Sequence, residues 1–169
     1  MFCSPEVLRM AYFGLIHPHL AYGIRLWGGC AKHRMERVFR LQKKAIRVIA
    51  KLKLRESCKD AFRKLGLLTL PCLYVLDVIL FCKSRGALTQ GRNVHHYQTR
   101  GRDNFRVLQH RLTVTEQLPV HVGVRLTNVI PERIKMLENQ NQFKSRLKRH
   151  LVYGAFYSVD EYVAGRWDN

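Results

Sequence analysis

Apolar positions recur at helical spacing along most of the chain. Ser4-Pro5-Glu6 has the composition of a helix start: a capping hydroxyl, a proline suited to the first helical position and an acid at the positive end of the dipole. The pattern predicts a first helix ending near His17-Pro18 and a second from Pro18 to Trp27, stopped by Gly28-Gly29. From Ala31 to about Leu54 it predicts a long third helix. At 100° per residue Met35, Val38, Phe39, Leu41, Ala45, Ile46, Val48, Ile49 and Leu52 fall within about half of the circle. Arg37, Arg40, Lys43, Lys44, Arg47 and Lys51 fall in the opposite arc, about 120° wide.

A short helix over 56–65, closed by Gly66, comes next. Thr69 then reads as the cap of a helix from Pro71 to about Arg85 that is apolar nearly all round, the pattern of a buried central element. Residues 86–117 lose the periodicity and read as a basic loop or arm, with Arg100 and Arg102 beside Tyr97 as candidate contacts to unpaired bases. Helical signals return over 121–129, in a turn after Pro131, over 140–153 and after Ser158, where Ser158 and Glu161 have capping-box spacing. The expected fold is all-α: a helical bundle over 1–86, a basic segment over 87–117 and a smaller helical region over 118–169.

Charge narrows the partner class. Thirty Lys and Arg against twelve Asp and Glu give a net charge of +18, a field that attracts polyanions. Residues 1–90 carry 17 cations against 5 acids and residues 91–169 carry 13 against 7, so the excess favours the first half. The expected partner is therefore nucleic acid, RNA, DNA or a hybrid, held by its backbone. The candidate contacts are Arg37, Arg40, Lys43, Lys44, Arg47 and Lys51, with Arg100 and Arg102. The alternative is a protein-interaction or anionic-membrane-surface module built on the same basic amphipathic helices.

Catalysis and metal binding find little support in the residues. The five aspartates, Asp60, Asp77, Asp103, Asp160 and Asp168, are scattered. Two-metal phosphoryl transfer needs clustered carboxylates. Asp160-Glu161 is the adjacent acid pair, and helix capping accounts for it. Cys3, Cys30, Cys58, Cys72 and Cys82 are odd in number and lack C-x2-C spacing, which reads as reduced thiols of an intracellular protein, nuclear or cytoplasmic. His17 with His19, and His95 with His96, lack further ligands at a matching interval. No cofactor and no small-molecule substrate is implied, and the apolar stretch Leu73–Cys82 is too short to span a membrane. Tyr22 and Trp27, beside Gly23 and Gly28, read as core aromatics rather than a stacking platform.

An ordered set of motifs carries a resemblance. Tyr12-Phe13-Gly14-Leu15-Ile16-His17-Pro18-His19-Leu20, Tyr22-Gly23-Ile24 and Leu26-Trp27-Gly28 are followed by the basic run Leu41-Gln42-Lys43-Lys44-Ala45-Ile46-Arg47. Leu68-Thr69-Leu70-Pro71, Tyr97-Gln98-Thr99-Arg100 and Ala155-Phe156-Tyr157-Ser158-Val159-Asp160-Glu161 complete the set. In order and spacing it resembles the region after the polymerase core of jockey-like non-LTR retrotransposon reverse transcriptases. The resemblance implies a thumb-like helical subdomain and a C-terminal extension that grip template and primer. It implies no catalysis, because that family places its metal-binding aspartates in an upstream palm, and nothing here matches them. The zinc knuckle of some relatives is also missing.

Overall fold

A computed structural model describes residues 4–89, 104–107 and 111–165, and the described residues build an all-α fold without a β-strand. Helix α1 (Pro5–Ala11) begins where Ser4 Oγ accepts the Val7 N–H at 3.4 Å. The chain then differs from the expected break at Pro18. A π-helical turn over Tyr12–Ile16 runs directly into α2 (His17–Ala21), with Pro18 inside the helical run. A proline ring clashes with the carbonyl four residues back in a regular α-helix. The wider π turn, in which the His17 N–H donates to the Tyr12 carbonyl, reshapes the backbone just ahead of it. The real break falls at Gly23, whose φ of 60° reverses the chain before α3 (Ile24–Trp27).

Helix α4 (Lys32–Ile49) stops five residues short of the expected Leu54. Its end is a Schellman turn: the Leu52 N–H donates to the Arg47 carbonyl and the Lys51 N–H to that of Val48. Lys51 holds the left-handed position at φ 53°, a place where glycine is usual, so no glycine announces the stop. Helix α5 (Lys59–Leu65) ends on the same motif with the expected Gly66 at φ 65°.

Helix α6 (Leu70–Ser84) is the axis of the molecule. Thr69 caps it, its hydroxyl accepting from the Cys72 N–H and donating to the Phe156 carbonyl. Ten of its fifteen residues are buried, and α2, α3, α4, α8, α10 and α11 all pack on it. Asp77 is tolerated because Arg25 of α3 binds it through two nitrogens, at 2.8 and 3.3 Å, and lays its guanidinium 4.1 Å from the centre of the Phe81 ring.

Beyond α6, the stretch read as a basic arm touches the body where it is described. The Arg106 N–H donates to the Thr89 carbonyl, and the Asn128 amide exchanges two hydrogen bonds with the backbone of Phe105. The short α7 (Thr113–Glu116) leads to α8 (Pro119–Val129), which lies along α6. Helix α9 (Glu132–Lys135) follows, then α10 (Gln140–Gly154), capped by Asn139. Phe143, Leu147 and Leu151 of α10 are buried as their spacing predicts. Side chains from before and after the basic stretch share one apolar core, from Tyr12 and Ile46 through Val75 to Leu126, Leu147 and Tyr162.

The last helix, α11 (Val159–Ala164), starts as the capping box predicts, with Ser158 Oγ accepting the Glu161 N–H at 2.9 Å. The Glu161 carboxylate in turn accepts the Tyr157 N–H and an ammonium proton of Lys59. Burial pushes the Glu161 pKa up, but the Lys59 ammonium and the backbone donors outweigh it and leave the net shift downward. A depressed folded-state pKa means stability that is present above the usual carboxylate range and lost as pH falls through the folded value. Glu161→Gln is expected to cost about 1 kcal/mol at neutral pH, the usual size for a helix cap. The loss should shrink on acidification below about pH 4. Urea unfolding of both proteins at neutral and acid pH measures this, and a loss independent of pH would rule out the ionised cap.

Candidate nucleic-acid interface

Helix α4 is 18 residues long and carries a single acid, Glu36, so its cations extend over about 27 Å. The face it buries is narrower than the half-circle its apolar residues suggest. Met35, Phe39, Gln42 and Ile46 point inward, while Leu41 and Val48 are 63% and 73% exposed. One stripe of the outer face therefore reads Arg34, Arg37, Leu41, Lys44, Val48, with Arg40 beside it. Arg34, Arg37, Arg40 and Lys44 surround a shallow groove of about 530 Å3 whose apolar part is Val38 and Leu41. Arg40 meets Glu36 at 3.8 Å on the surface, an exposed pair of little energetic weight.

The six cations predicted on this helix separate into different roles. Arg37, Arg40 and Lys44 are exposed at the groove. Lys51 is exposed too, but it lies in the turn beyond the helix end. Lys43 and Arg47 are half-buried. Lys43 Nζ sits 4.8 Å from the Phe39 ring centre and 5.2 Å from that of Tyr157, and Lys59 Nζ lies 5.1 Å from the same Tyr157 ring. Arg47 donates to the Glu56 carbonyl at 3.2 Å and ties the loop after α4 to the helix. These two side chains hold the C-terminal segment and a loop in place, which cations on the flank of a stripe can do as readily as meet solvent. Arg100 and Arg102, with Tyr97, lie outside the described residues. Arg34 was missed at the sequence level, although it stands three residues before Arg37 and seven before Leu41 on the same face.

Other candidates resolve differently. Trp27 is half-buried and donates its indole N–H to the Tyr22 carbonyl at 2.8 Å, but Tyr22 is 85% exposed and is not a core aromatic. Four acids of the described residues each face a separate cation: Asp60 with Arg63, Asp77 with Arg25, Asp160 with Lys32 and Glu161 with Lys59. Asp103 and Asp168 lie outside the described residues, as do His95 and His96. Burial pushes the Cys72 and Cys82 thiols up to about 11, which makes them poor nucleophiles at neutral pH. Burial and the charge of Lys148 lower the pKa of His17. Among the described residues no single helix is long and apolar enough to cross a membrane. In comparisons with protein families, with curated proteins and with solved structures, nothing matches this chain.

Proposed function

We propose that the chain binds nucleic acid through backbone phosphates lying along the outer face of α4, and that it does so without catalysis. The observation that carries the reading is the groove at Arg34, Arg37, Arg40 and Lys44, a run of cations on one helical face with Glu36 as the only acid of the helix. Phosphodiesters at regular spacing match repeated guanidinium and ammonium groups, and contacts of this kind hold a strand without reading its sequence. Among the described residues Asp60, Asp77, Asp160 and Glu161 each engage their own cation, and no carboxylate cluster offers itself for metal-assisted phosphoryl transfer. Together with the ordered motifs of the sequence, this supports a relationship to the thumb and post-thumb region of jockey-like reverse transcriptases. The segment would grip template and primer, and the chemistry would belong to a palm.

A second reading rests on Leu41 and Val48, exposed between the cations. Apolar residues beside Arg and Lys are also what an anionic membrane surface or an acidic protein would engage. Competition separates the two. An RNA–DNA hybrid held on α4 should be displaced by unlabelled RNA and left in place by phosphatidylserine vesicles of equal charge. Displacement by vesicles alone would favour the second reading.

A further inference from the structure

A second cationic site lies on the far end of the chain, on residues that the α4 interface does not use. Arg146, Arg149, His150 and Tyr153 share one face of α10, at spacings of three, four and seven residues. Arg133 of α9 joins them, and the five residues, with Ile134 and Leu137, line an open pocket of about 560 Å3. Among the described residues no carboxylate lines it. Glu132 and Glu138, the nearest acids in sequence, face other cations: Glu132 pairs with Lys135 at 3.2 Å, and Glu138 acts on Lys83. Among the described residues Arg133, Arg146 and Arg149 form no ion pair. Three arginines thus line one concavity, and among the described residues no carboxylate pairs with them. Like charges brought together this way repel, and the arrangement is relieved by an anion that each planar fork can chelate.

The shape and charge select among phosphates. A phosphodiester carries one negative charge and continues in both directions, which suits an open track such as α4. A phosphate monoester carries nearly two charges at neutral pH, has three terminal oxygens and ends the chain, which suits a pocket. At the rim, Tyr153 is 78% exposed. Its backbone is pinned by the Arg63 Nε–H donating to the Tyr153 carbonyl at 2.7 Å, and the Arg63 guanidinium lies 5.8 Å from the ring centre. That leaves an aromatic face on which a base can stack. We propose that this pocket receives the terminal phosphate of a nucleic-acid strand, with the end base stacked on Tyr153. The ligand class rests on the reading of α4, and the site itself rests on different residues.

The test uses the full chain and short single strands labelled at one end and carrying either a phosphate or a hydroxyl at the other, with the two polarities compared. At about 150 mM salt, one phosphorylated strand should bind about tenfold tighter than its hydroxyl counterpart. Arg146→Gln/Arg149→Gln should erase that ratio, with hydroxyl-strand binding changed by less than about threefold. Both positions are exposed on α10 and glutamine is a good helix former, so an unchanged melting temperature is expected to confirm folding. Arg37→Gln/Lys44→Gln should weaken both strands by the same factor. Equal binding of phosphorylated and hydroxyl strands by the unaltered protein overturns the inference and leaves the α4 reading standing. So does a preference that survives Arg146→Gln/Arg149→Gln. Binding of inorganic phosphate or a phosphopeptide with no binding of either strand overturns both.

Discussion

Gln42→Leu should destabilise the protein by about 3–5 kcal/mol, a large part of the 5–15 kcal/mol that holds a domain together. Gln42 is 1% exposed in the middle of the buried stripe of α4. Its amide nitrogen donates to Tyr12 Oη at 2.8 Å and to the Leu68 carbonyl at 2.9 Å, and its amide oxygen accepts the Leu70 N–H at 2.8 Å. One side chain thereby joins the π turn, α4 and the start of α6. Leucine fills nearly the same volume, so water gains little room to replace the amide. The Tyr12 hydroxyl, the Leu68 carbonyl and the Leu70 N–H are then left buried without these partners, at roughly 1–3 kcal/mol each before relaxation. Tyr12→Phe removes one of the three groups and should cost about 1 kcal/mol. In the double variant the two losses should fall short of additive, because leucine no longer strands a hydroxyl. Urea unfolding followed by circular dichroism reads all three. A Gln42→Leu loss under 1 kcal/mol would contradict the network.

The second large effect is at the contact between α6 and α8. Gly123→Ala should cost about 2–3 kcal/mol, although alanine is favoured by about 1 kcal/mol as a helix former. A methyl group at Gly123 would overlap the Cys82 sulfur and stand 3.0 Å from the Val78 carbonyl oxygen and 3.1 Å from Val78 Cγ1. The sulfur cannot swing away without cost, since it is held 3.5 and 3.4 Å from the carbonyls of Pro119 and Val120. The Val78 carbonyl belongs to the backbone of the central helix. The two helices must therefore separate along their closest approach, and that opens voids beside Val78 and Val124. Cys82→Ala in the same chain should recover part of the loss, because it removes the sulfur and leaves the carbonyl. Full recovery would show that the sulfur alone sets the distance, and no loss in the single variant would show that the helices slide apart freely.

How far the sequence revealed this structure depends on whether a feature is local. The caps at Ser4, Thr69 and Ser158 were legible because each is a hydroxyl accepting an N–H within the next turn. The central place of α6 was legible because a helix apolar on every side has to be surrounded. The π turn was not, since a proline reads as a helix end unless the turn before it widens. The end of α4 was hidden because Lys51 adopts a conformation in which glycine is expected. Leu41 and Val48 joined the predicted core through their angle on the wheel, yet burial also needs a partner on that side, and both remain exposed. Gln42 was the opposite case: its angle lies between those of Met35 and Ile49, and polarity alone concealed it. Of the two cationic surfaces, Arg37, Arg40 and Lys44 could be read from one helix. The pocket at Arg133 and Arg146 joins two helices across a turn, a juxtaposition that spacing along the chain does not encode.

The most direct measurement is fluorescence anisotropy of a labelled RNA–DNA hybrid titrated with the protein from about 50 to 300 mM salt. Arg37→Gln/Arg40→Gln/Lys44→Gln is titrated alongside, with Lys43 and Arg47 left intact to preserve their packing. Binding through the α4 face predicts that the logarithm of affinity falls with the logarithm of salt. The slope should be at least about −3, near −0.9 for each phosphate neutralised. The variant should lose most of that slope and bind at least about tenfold more weakly at low salt, with its melting temperature unchanged. A folded protein that fails to bind the hybrid at the lowest salt would contradict the account, as would a variant that binds with the same slope and affinity.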